Sequence, residues 1–311
     1  MAATKGGLDL SRPVRVAAVQ MQGRVADIPH NLRQAEALVT DAFDRGARIV
    51  ALPEFFTTPV AFDPRLAGCA LPPANDAIDL LERLARRHGG CVGGSMLLRR
   101  GDNVFNTYVF MQPDGRCFTH DKDIPTMWEN AFYVGGSDDG LMQTALGPVG
   151  AAVCWELIRT RTVTRLRDRI RFAMTGSNWW GGPENWPLLR TILAGVERAN
   201  LRLAAEAPVI FARMLGVAVL HAGQVGRFEG RFLLIPGRAL NLRYVSTFVG
   251  ETKIVDREGN VLAEVLLEPG KPSMDPDPAS FWIPDLPRFH RAYWKHQNAC
   301  GKWWYGTRGQ A

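Results

Sequence analysis

The sequence predicts an α/β fold, and two features of its pattern support this prediction. Short apolar runs alternate with amphipathic helical patterns in the first half of the chain, and several strand patterns follow one another in the second half. The chain has 311 residues, which suffices for two average domains or one large α/β domain. Apolar residues make up 46% and charged residues 22%, as in ordinary globular proteins, so a sizeable core is available.

The first half of the chain reads as strands and helices in turn. Residues 14–20 form a buried strand pattern, and residues 32–43 place apolar side chains on one helical face that ends before Gly46. Further elements follow the same two periods. They are a strand at 48–52, a helix at 77–85 stopped by Gly89-Gly90, a strand at 91–98, and a hairpin of 104–111 and 116–119.

The second half begins with a loop-like stretch at 121–140 that has no clean period. Strand and helix patterns then resume. We predict strands at 141–146, 149–154, 172–176, 209–212, 217–221, 231–235 and 244–249, helices at 162–170 and 188–206, and a hairpin of 251–256 and 260–266.

The composition changes at Pro269, where six prolines fall within 269–287 and an aromatic segment with Trp294, Trp303 and Trp304 follows. Such a segment is too apolar to stay free in solvent. We therefore divide the chain into an N-terminal segment at 1–13, a main domain at 14–268 and a C-terminal extension at 269–311. We expect the extension to pack on the domain or on a neighbouring subunit.

Charge and hydropathy argue against several classes of partner. The net charge is +6, but the basic residues are spread along the chain and no nucleic-acid-binding motif accompanies them, so we expect no nucleic-acid partner. No run of about 18 apolar residues occurs, so we expect no membrane span. The N-terminus lacks the apolar core of a secretory signal.

The five cysteines are an odd number without CxxC spacing, which disfavours a disulfide framework and a zinc ribbon. Reduced thiols fit a cytoplasmic protein. His290 and His296 are too isolated to suggest a metal site, and the chemistry considered below requires no cofactor.

Cys154 ends the apolar run 149–153, and a thiol in the turn after a buried strand can be accessible to a ligand. A free thiol is only a few per cent thiolate at pH 7 unless it is activated. We expect the start of the following helix to favour the anion. Most lone cysteines are structural, so the hypothesis that Cys154 is a nucleophile depends on two further motifs.

Glu54 follows a buried strand and precedes Phe55 and Phe56. Desolvation among aromatic rings disfavours the ionised carboxylate and raises its pKa. A raised pKa suits a base that takes the thiol proton and returns it to a leaving amine. Without other motifs, a glutamate at this place is more often a capping or salt-bridged residue.

Lys122 lies between Asp121 and Asp123, a setting typical of a surface ion pair. The catalytic interpretation requires its ammonium to point inwards and stabilise an oxyanion on the substrate. One such donor is typically worth about 3–4 kcal/mol in the barrier. The backbone N–H of Trp155 directly follows the proposed nucleophile, and we predict it as the second oxyanion donor.

Together the three motifs resemble the nitrilase superfamily of carbon–nitrogen hydrolases over residues 14–264. The segments that carry the resemblance are Leu52-Pro53-Glu54-Phe55, His120-Asp121-Lys122-Asp123 and Ala152-Val153-Cys154-Trp155-Glu156. The resemblance implies a four-layer α-β-β-α sandwich, in which two sheets face each other between outer helices. It also implies a role for Glu129, which matches a second family glutamate that holds the lysine and the substrate in place.

Some positions depart from the family pattern. Asp121 stands where a basic residue usually precedes the lysine, the usual proline soon after Cys154 is missing, and the helical Glu-Asn-Arg motif survives only as Glu197-Arg198-Ala199-Asn200. These changes concern the surroundings of the acyl group more than the three central residues. They leave the substrate more open than the reaction.

The resemblance also locates a substrate pocket. The segment Asn178-Trp179-Trp180 lies where the family carries a pocket wall, and we assign Phe55 to the same pocket. Paired tryptophans can shape a pocket for an apolar or aromatic acyl group, and they can equally be core residues.

Three functions remain open at this point. The first is an amidase-type hydrolase of small amides or N-carbamoyl compounds, because most branches of the superfamily act on such groups. The second is a nitrilase, which the Cys154-Trp155-Glu156 triplet favours because many amide-cleaving branches have aspartate at the third position. The third is a catalytically inactive scaffold, against which the intact Glu54, Lys122 and Cys154 argue.

The stretch 159–171 carries six arginines and one acidic residue, which is either a solvated helix face or a subunit contact. In the superfamily the helix after the catalytic cysteine commonly packs against its counterpart across a two-fold axis. We therefore predict a homodimer or larger homo-oligomer with this helix at the contact and the C-terminal segment across it.

Overall fold

The computed structural model describes residues 10, 13–233 and 241–262. The predicted C-terminal extension at 269–311 and nearly all of the segment 1–13 lie outside the described residues. The α-helices of the described part are α1 (Ile28–Asp44), α2 (Asp76–His88), α3 (Thr160–Leu166), α4 (Pro187–Ile192) and α5 (Ala194–Leu215). Short 3-10 helices cover Pro64–Gly68, Met127–Ala131 and Cys154–Ile158.

The strands of the described residues form two larger sheets and one hairpin. They are β1 (Val16–Ala18), β2 (Ile49–Ala51), β3 (Cys91–Arg100), β4 (Asn103–Met111), β5 (Cys117–Asp121), β6 (Leu141–Thr144), β7 (Gly147–Val153), β8 (Phe172–Ser177), β9 (Ala218–Gly223), β10 (Val225–Leu233), β11 (Asn241–Val249), β12 (Lys253–Val255) and β13 (Val261–Leu262). The first sheet has the order β1-β2-β3-β4-β5 and the second the order β13-β12-β9-β8-β7-β6, while β10 pairs with β11.

The two sheets face each other between helices, which confirms the predicted α-β-β-α sandwich. Helices α1 and α2 pack on the outer face of the first sheet, and α3 and α5 pack on the outer side of the second. Successive side chains of a strand point to opposite faces of the sheet, so neighbouring residues of one strand belong to different cores. Ile49 and Ala51 of β2 belong to the core shared with the second sheet, whereas Val50 lies in the core beneath α1 and α2.

Local signals define the helix ends. Helix α2 begins after Asn75, whose side-chain oxygen accepts hydrogen bonds from the backbone N–H groups of Ala77 and Ile78, at 2.9 Å and 3.1 Å. It ends at Gly89, which has the left-handed backbone conformation that glycine adopts without strain. Parallel pairing then aligns β2 with both β1 and β3, so that residue 52 leaves the sheet at its carboxyl edge. Glu54 lies two residues beyond that point.

Two predictions about the second half were wrong. The predicted strand 209–212 is part of α5, and the single predicted helix 188–206 is two helices separated at Leu193. An apolar run of four residues fits a buried strand as well as one face of a buried helix. Here Ala207, Phe211 and Met214 are buried at helical spacing against the second sheet, so tertiary packing selects the helix.

From the sequence, the arginine-rich stretch 159–171 is either a solvated helix face or a subunit contact. In the structure, two of its arginines pair with carboxylates inside the protein. Arg159 is almost fully buried and forms an ion pair with Asp123. Arg165 lies 3.1 Å from the Asp123 carboxylate and 3.3 Å from that of Glu156. These two arginines therefore pair with carboxylates inside the chain, whereas Arg161 is exposed and Arg169 forms an exposed ion pair with Asp139.

Among the helices of the described residues, none combines the length and apolar character that crossing a bilayer requires. The described residues also contain no group of three or more His, Cys, Asp or Glu side chains arranged to hold a metal ion.

Candidate active site

The carboxylate of Glu54 is fully buried and accepts hydrogen bonds from three separate segments of the chain. Its Oε1 accepts hydrogen bonds from Asn106 Nδ2 at 2.8 Å and Lys122 Nζ at 3.0 Å, and its Oε2 accepts one from the Asn178 backbone N–H at 2.7 Å. The chain turns sharply after it, since Phe55 has φ of 54° and donates its N–H to Ser95 Oγ. This left-handed conformation is costly for a bulky residue, and it holds Glu54 at the end of β2.

Lys122 points inwards and does not form the surface ion pair that its neighbours suggested. Its Nζ lies 3.0 Å from Glu54 Oε1 and 2.8 Å from Glu129 Oε2, and its side chain is fully buried. The neighbouring acids pair with other residues, Asp121 with Arg100 and Asp123 with Arg159. The pleat of β5 and the turn after it place consecutive side chains on different sides, so the lysine alone enters the site.

Glu129 lies on the 3-10 helix Met127–Ala131 and accepts three hydrogen bonds on one oxygen. The donors to Oε2 are Lys122 Nζ, the Thr126 backbone N–H at 3.0 Å and the Tyr133 hydroxyl. Within the described residues the other oxygen, Oε1, has no hydrogen-bond partner although it is buried. The structure thus brings Glu129 to the lysine and leaves one carboxylate oxygen free.

Cys154 begins a 3-10 helix directly after β7 and has a left-handed backbone with φ of 54°. Strained residues of this kind are found at functional sites when the surrounding structure fixes them. Burial raises the pKa of the Cys154 thiol well above its ordinary value, the charge of Glu54 adds to this, and Lys122 opposes it. Burial is the largest of these effects, so the resting group is the neutral thiol, and its attack on a substrate requires a base.

The pKa of Glu54 is raised to about 7, chiefly because burial disfavours the charged form. Lys122 lowers it and Glu129 raises it. For Lys122 itself, burial lowers the pKa, but the charges of Glu129 and Glu54 outweigh burial and hold the pKa well above its ordinary value. A permanent ammonium therefore lies beside a carboxyl group that can exchange a proton near neutral pH.

A narrow cleft opens above Cys154, and its cavity volume is only about 10 Å³. Its lining residues are Thr126, Cys154, Trp155, Trp179, Trp180 and Asn200. Trp179 and Trp180 thus occupy the predicted pocket, whereas the structure places Phe55 and Asn178 behind it. Phe55 is fully buried in an aromatic cluster, and Asn178 donates its side-chain N–H to Val60 O at 3.0 Å, so both support the site from outside the lining.

Asn200 of α5 fixes the tryptophan wall of the cleft. Its Oδ1 accepts the Trp179 indole N–H at 2.8 Å, and its Nδ2 donates to Trp180 O at 3.2 Å. The rings of Trp155 and Trp179 lie with centroids 6.1 Å apart. The cleft is therefore aromatic on several sides and is lined by uncharged side chains next to the thiol.

Two residues of this constellation, Asn106 and Tyr133, escaped the sequence analysis, and Asn200 entered it only as part of the segment Glu197-Arg198-Ala199-Asn200. Asn106 orients Glu54, Tyr133 orients Glu129, and Asn200 orients the tryptophans. Tyr133 follows Glu129 by four residues, a spacing that brings two side chains together in a helical turn. A helical turn predicted at this place would therefore have indicated their contact. Asn106 carried no local signal, because it is a polar residue in the middle of a strand that is buried on both faces.

The fold and this buried Glu-Lys-Glu-Cys cluster define a protein of the carbon–nitrogen hydrolase class. The profile of the carbon-nitrogen hydrolase family matches residues 15–269. The chain therefore belongs to the carbon-nitrogen hydrolase family, within the nitrilase superfamily.

Individual relatives are distant. The chain is 28% identical over 173 residues to nitrilase 3 of Arabidopsis thaliana, covering 48% of this chain and 49% of that protein. It is 27% identical over 187 residues to the chloroplastic omega-amidase of the same plant, covering 53% and 50%. The chain thus spans about half the length of the curated relatives it matches.

Among solved structures, a CN-hydrolase superfamily protein of Xanthomonas campestris, which carries an arsenic adduct in its active site, aligns with a TM-score of 0.58. The identity is 18%, and the alignment covers 83% of this chain and 88% of that one. At this identity the likeness shows the fold alone.

Proposed function

We propose that this protein is a thiol-dependent hydrolase of non-peptide carbon–nitrogen bonds in small molecules, with Cys154 as nucleophile. The observation that carries the proposal is the position of Lys122 Nζ, 3.0 Å from Glu54 Oε1 and 2.8 Å from Glu129 Oε2, in the same buried site as the Cys154 thiol. Burying three charged groups together is costly, and active sites are where such arrangements are found.

The first half of the reaction forms a thiol ester. Glu54 takes the Cys154 thiol proton as Sγ attacks the carbonyl carbon, and negative charge develops on the carbonyl oxygen. Lys122 and the backbone N–H of Trp155 stabilise that oxyanion. Glu54 then gives the proton to the leaving nitrogen, the carbon–nitrogen bond breaks, and ammonia or an amine departs.

The second half hydrolyses the thiol ester. Glu54 is again ionised and takes a proton from water as the water oxygen attacks the same carbon. The carbon–sulfur bond then breaks, the carboxylic acid leaves, and the proton returns to the Cys154 sulfur. Glu129 keeps Lys122 in place through both halves, and its free Oε1 can accept an N–H of the substrate.

The substrate is a small molecule with an uncharged acyl group. The lining of this narrow cleft offers three indole rings, a threonine and an asparagine around the thiol. A charged acyl group would lose its hydration there without gaining a partner. We place amides, including N-carbamoyl compounds, first among the substrates.

A nitrile is the second candidate. The Cys154-Trp155-Glu156 triplet and the relatives that are themselves called nitrilases favour it. Attack on a nitrile carbon by the same thiol would give a thioimidate, which water converts to the acid and ammonia. Glu156, however, is fully buried, and its carboxylate oxygens accept the backbone N–H groups of Val153 and Asp123. The third residue of the triplet therefore holds the backbone and gives no direct support for a nitrile.

One screen tests these alternatives. Ammonia release is measured from neutral aryl and alkyl amides, N-carbamoyl compounds and nitriles of matched size, with Cys154→Ala as the control. We expect release with the wild type from one class and none with the variant. No release from any compound would support the scaffold alternative, and release that survives in Cys154→Ala would exclude the thiol mechanism.

A further inference from the structure

A second buried charge cluster lies behind the nucleophile, and no step of the proposed reaction uses it. The ring of His120, at the end of β5, is fully buried between two carboxylates. Its Nδ1 contacts Asp138 Oδ1, and its Nε2 lies 2.9 Å from Glu156 Oε2. Beyond this pair, Arg165 contacts Glu156, and Asp123 joins the cluster through Arg165.

Both carboxylates accept further hydrogen bonds, which fixes the protonation state of the ring between them. Glu156 Oε2 accepts the Val153 N–H at 2.8 Å, and Glu156 Oε1 accepts the Asp123 N–H at 3.0 Å. Asp138 accepts backbone N–H groups from positions 121 and 140, both at 2.9 Å. Oxygens that accept so many donors belong to ionised carboxylates, so each nitrogen of His120 carries a proton.

The electrostatics agree with this assignment. Burial lowers the pKa of His120, but Glu156 and Asp138 outweigh it and raise the pKa to about 10. The charged groups that face the ring are therefore Asp138 and Glu156, with Arg165 and Asp123 next to Glu156. His120 is an imidazolium at neutral pH.

The hydrogen bonds that Glu156 accepts indicate the role of the His120–Glu156 ion pair. Val153 directly precedes Cys154, and Asp123 directly follows Lys122. One carboxylate thus binds the backbone of both segments that deliver the nucleophile and the ammonium. Without a cation at Nε2, that carboxylate would be buried with less compensation and would relax its hold.

We propose that His120 is a positioning residue that, as an imidazolium held by Asp138, orients Glu156 and thereby sets the distance between Cys154 and Lys122. This role rests on the proposed hydrolase function. A displacement of about 1 Å at a catalytic group can cost about 100-fold in rate. The role therefore has a measurable consequence although His120 touches no substrate.

The first test replaces His120 by glutamine, which can donate to only one of the two carboxylates. Turnover is compared with wild type, and Cys154 alkylation by iodoacetamide is followed by mass spectrometry at pH 7.5. We expect kcat to fall about 10- to 100-fold with KM within about threefold, and Cys154 alkylation to slow about tenfold, because the thiol loses its aligned base. Cys91, buried elsewhere, reports general loosening and should keep its wild-type rate.

Unchanged kcat, or Cys154 alkylation that stays equal or becomes faster, would overturn the proposal. The alkylation arm does not need a substrate. If wild type turns over no compound, the hydrolase proposal fails, while the thiol rates still decide whether His120 positions Cys154.

A second test applies even if His120→Gln does not fold. Asp138→Asn removes one of the two charges that hold the proton on the ring, at a carboxylate that is 41% exposed. In wild type we expect kcat and the Cys154 alkylation rate to fall at alkaline pH as His120 loses its proton. In Asp138→Asn this fall should occur at a pH lower by about one unit or more, because the imidazolium loses its proton at a lower pH. Asp139→Asn, which removes an exposed partner of Arg169, is the matched control. Identical pH profiles for the two variants would overturn the proposal.

Discussion

Replacement of Glu54 by glutamine tests the proposed base with little change of shape. Both oxygens of the Glu54 carboxylate accept hydrogen bonds: Oε1 from Asn106 Nδ2 and Lys122 Nζ, and Oε2 from the Asn178 N–H. The amide NH₂ of glutamine must therefore face a donor in either orientation. An unpaired buried group of this kind costs about 1–3 kcal/mol, which the loss of a desolvated charge partly offsets.

The rate should respond more strongly than the stability. A positioned general base is worth about 10²–10⁴ in rate, so we expect kcat to fall at least about 100-fold, or about 2.7 kcal/mol. The wild-type enzyme should also lose activity as the pH falls through about 7, because only ionised Glu54 can take the thiol proton. The variant should lack that limb.

The assay is kcat/KM between pH 5.5 and 9 on the best substrate of the screen, with thermal unfolding measured in parallel. Glu36→Gln is the matched control, because Glu36 forms an exposed ion pair with Arg83 at 3.1 Å. A Glu54→Gln enzyme that keeps more than a tenth of the wild-type rate, with its acid limb unmoved, would refute the assignment of the base.

Further predictions concern the nucleophile, the lysine, stability and assembly. Cys154→Ala should abolish turnover without changing the melting temperature. A kcat comparable to that of the wild type would refute the assignment of Cys154 as the nucleophile. Lys122→Ala should lower kcat at least about 100-fold, because it removes an oxyanion donor, and near-normal rates would mean that another group fills this role. The same variant should destabilise the fold by about 3–5 kcal/mol, because Glu54 and Glu129 lose their shared cation. The folded-state pKa of His120, about 10 against an ordinary 6.5, means that its contribution to stability is complete below about 6.5 and is lost as the pH rises towards 10. Urea unfolding should show this decline in wild type and a smaller one in His120→Gln, and equal slopes would contradict the imidazolium. Light scattering at micromolar concentration should give a dimer or larger, and a concentration-independent mass near 34.4 kDa would refute assembly.

Much of the fold could be predicted from the sequence because its signals are local. The apolar period of residues 32–43 and the stop at Gly89 depend on side chains a few positions apart, and α1 and α2 lie where those patterns indicated. The run 209–212 shows the limit of this reasoning. Its four apolar residues are compatible with a buried strand and with a buried helix. Only the packing of α5 on the second sheet makes this segment helical.

For the site, the sequence by itself determined which residues are chemically able to act. Glu54, Lys122 and Cys154 are separated by at least 32 positions, yet each lies at or shortly after the end of a predicted strand, and the structure brings them into one buried cluster. Family resemblance added Glu129, which the structure places 2.8 Å from Lys122 Nζ.

The direction in which each side chain points was decided by the tertiary structure. Sequence proximity suggested that Asp121 and Asp123 pair with Lys122, but the pleat of β5 and the turn after it direct them towards Arg100 and Arg159. The protonation states likewise depend on groups brought together from distant positions. The raised pKa of Glu54 arises from burial between two sheets, and such burial exists only once the β2 and β8 ends have met.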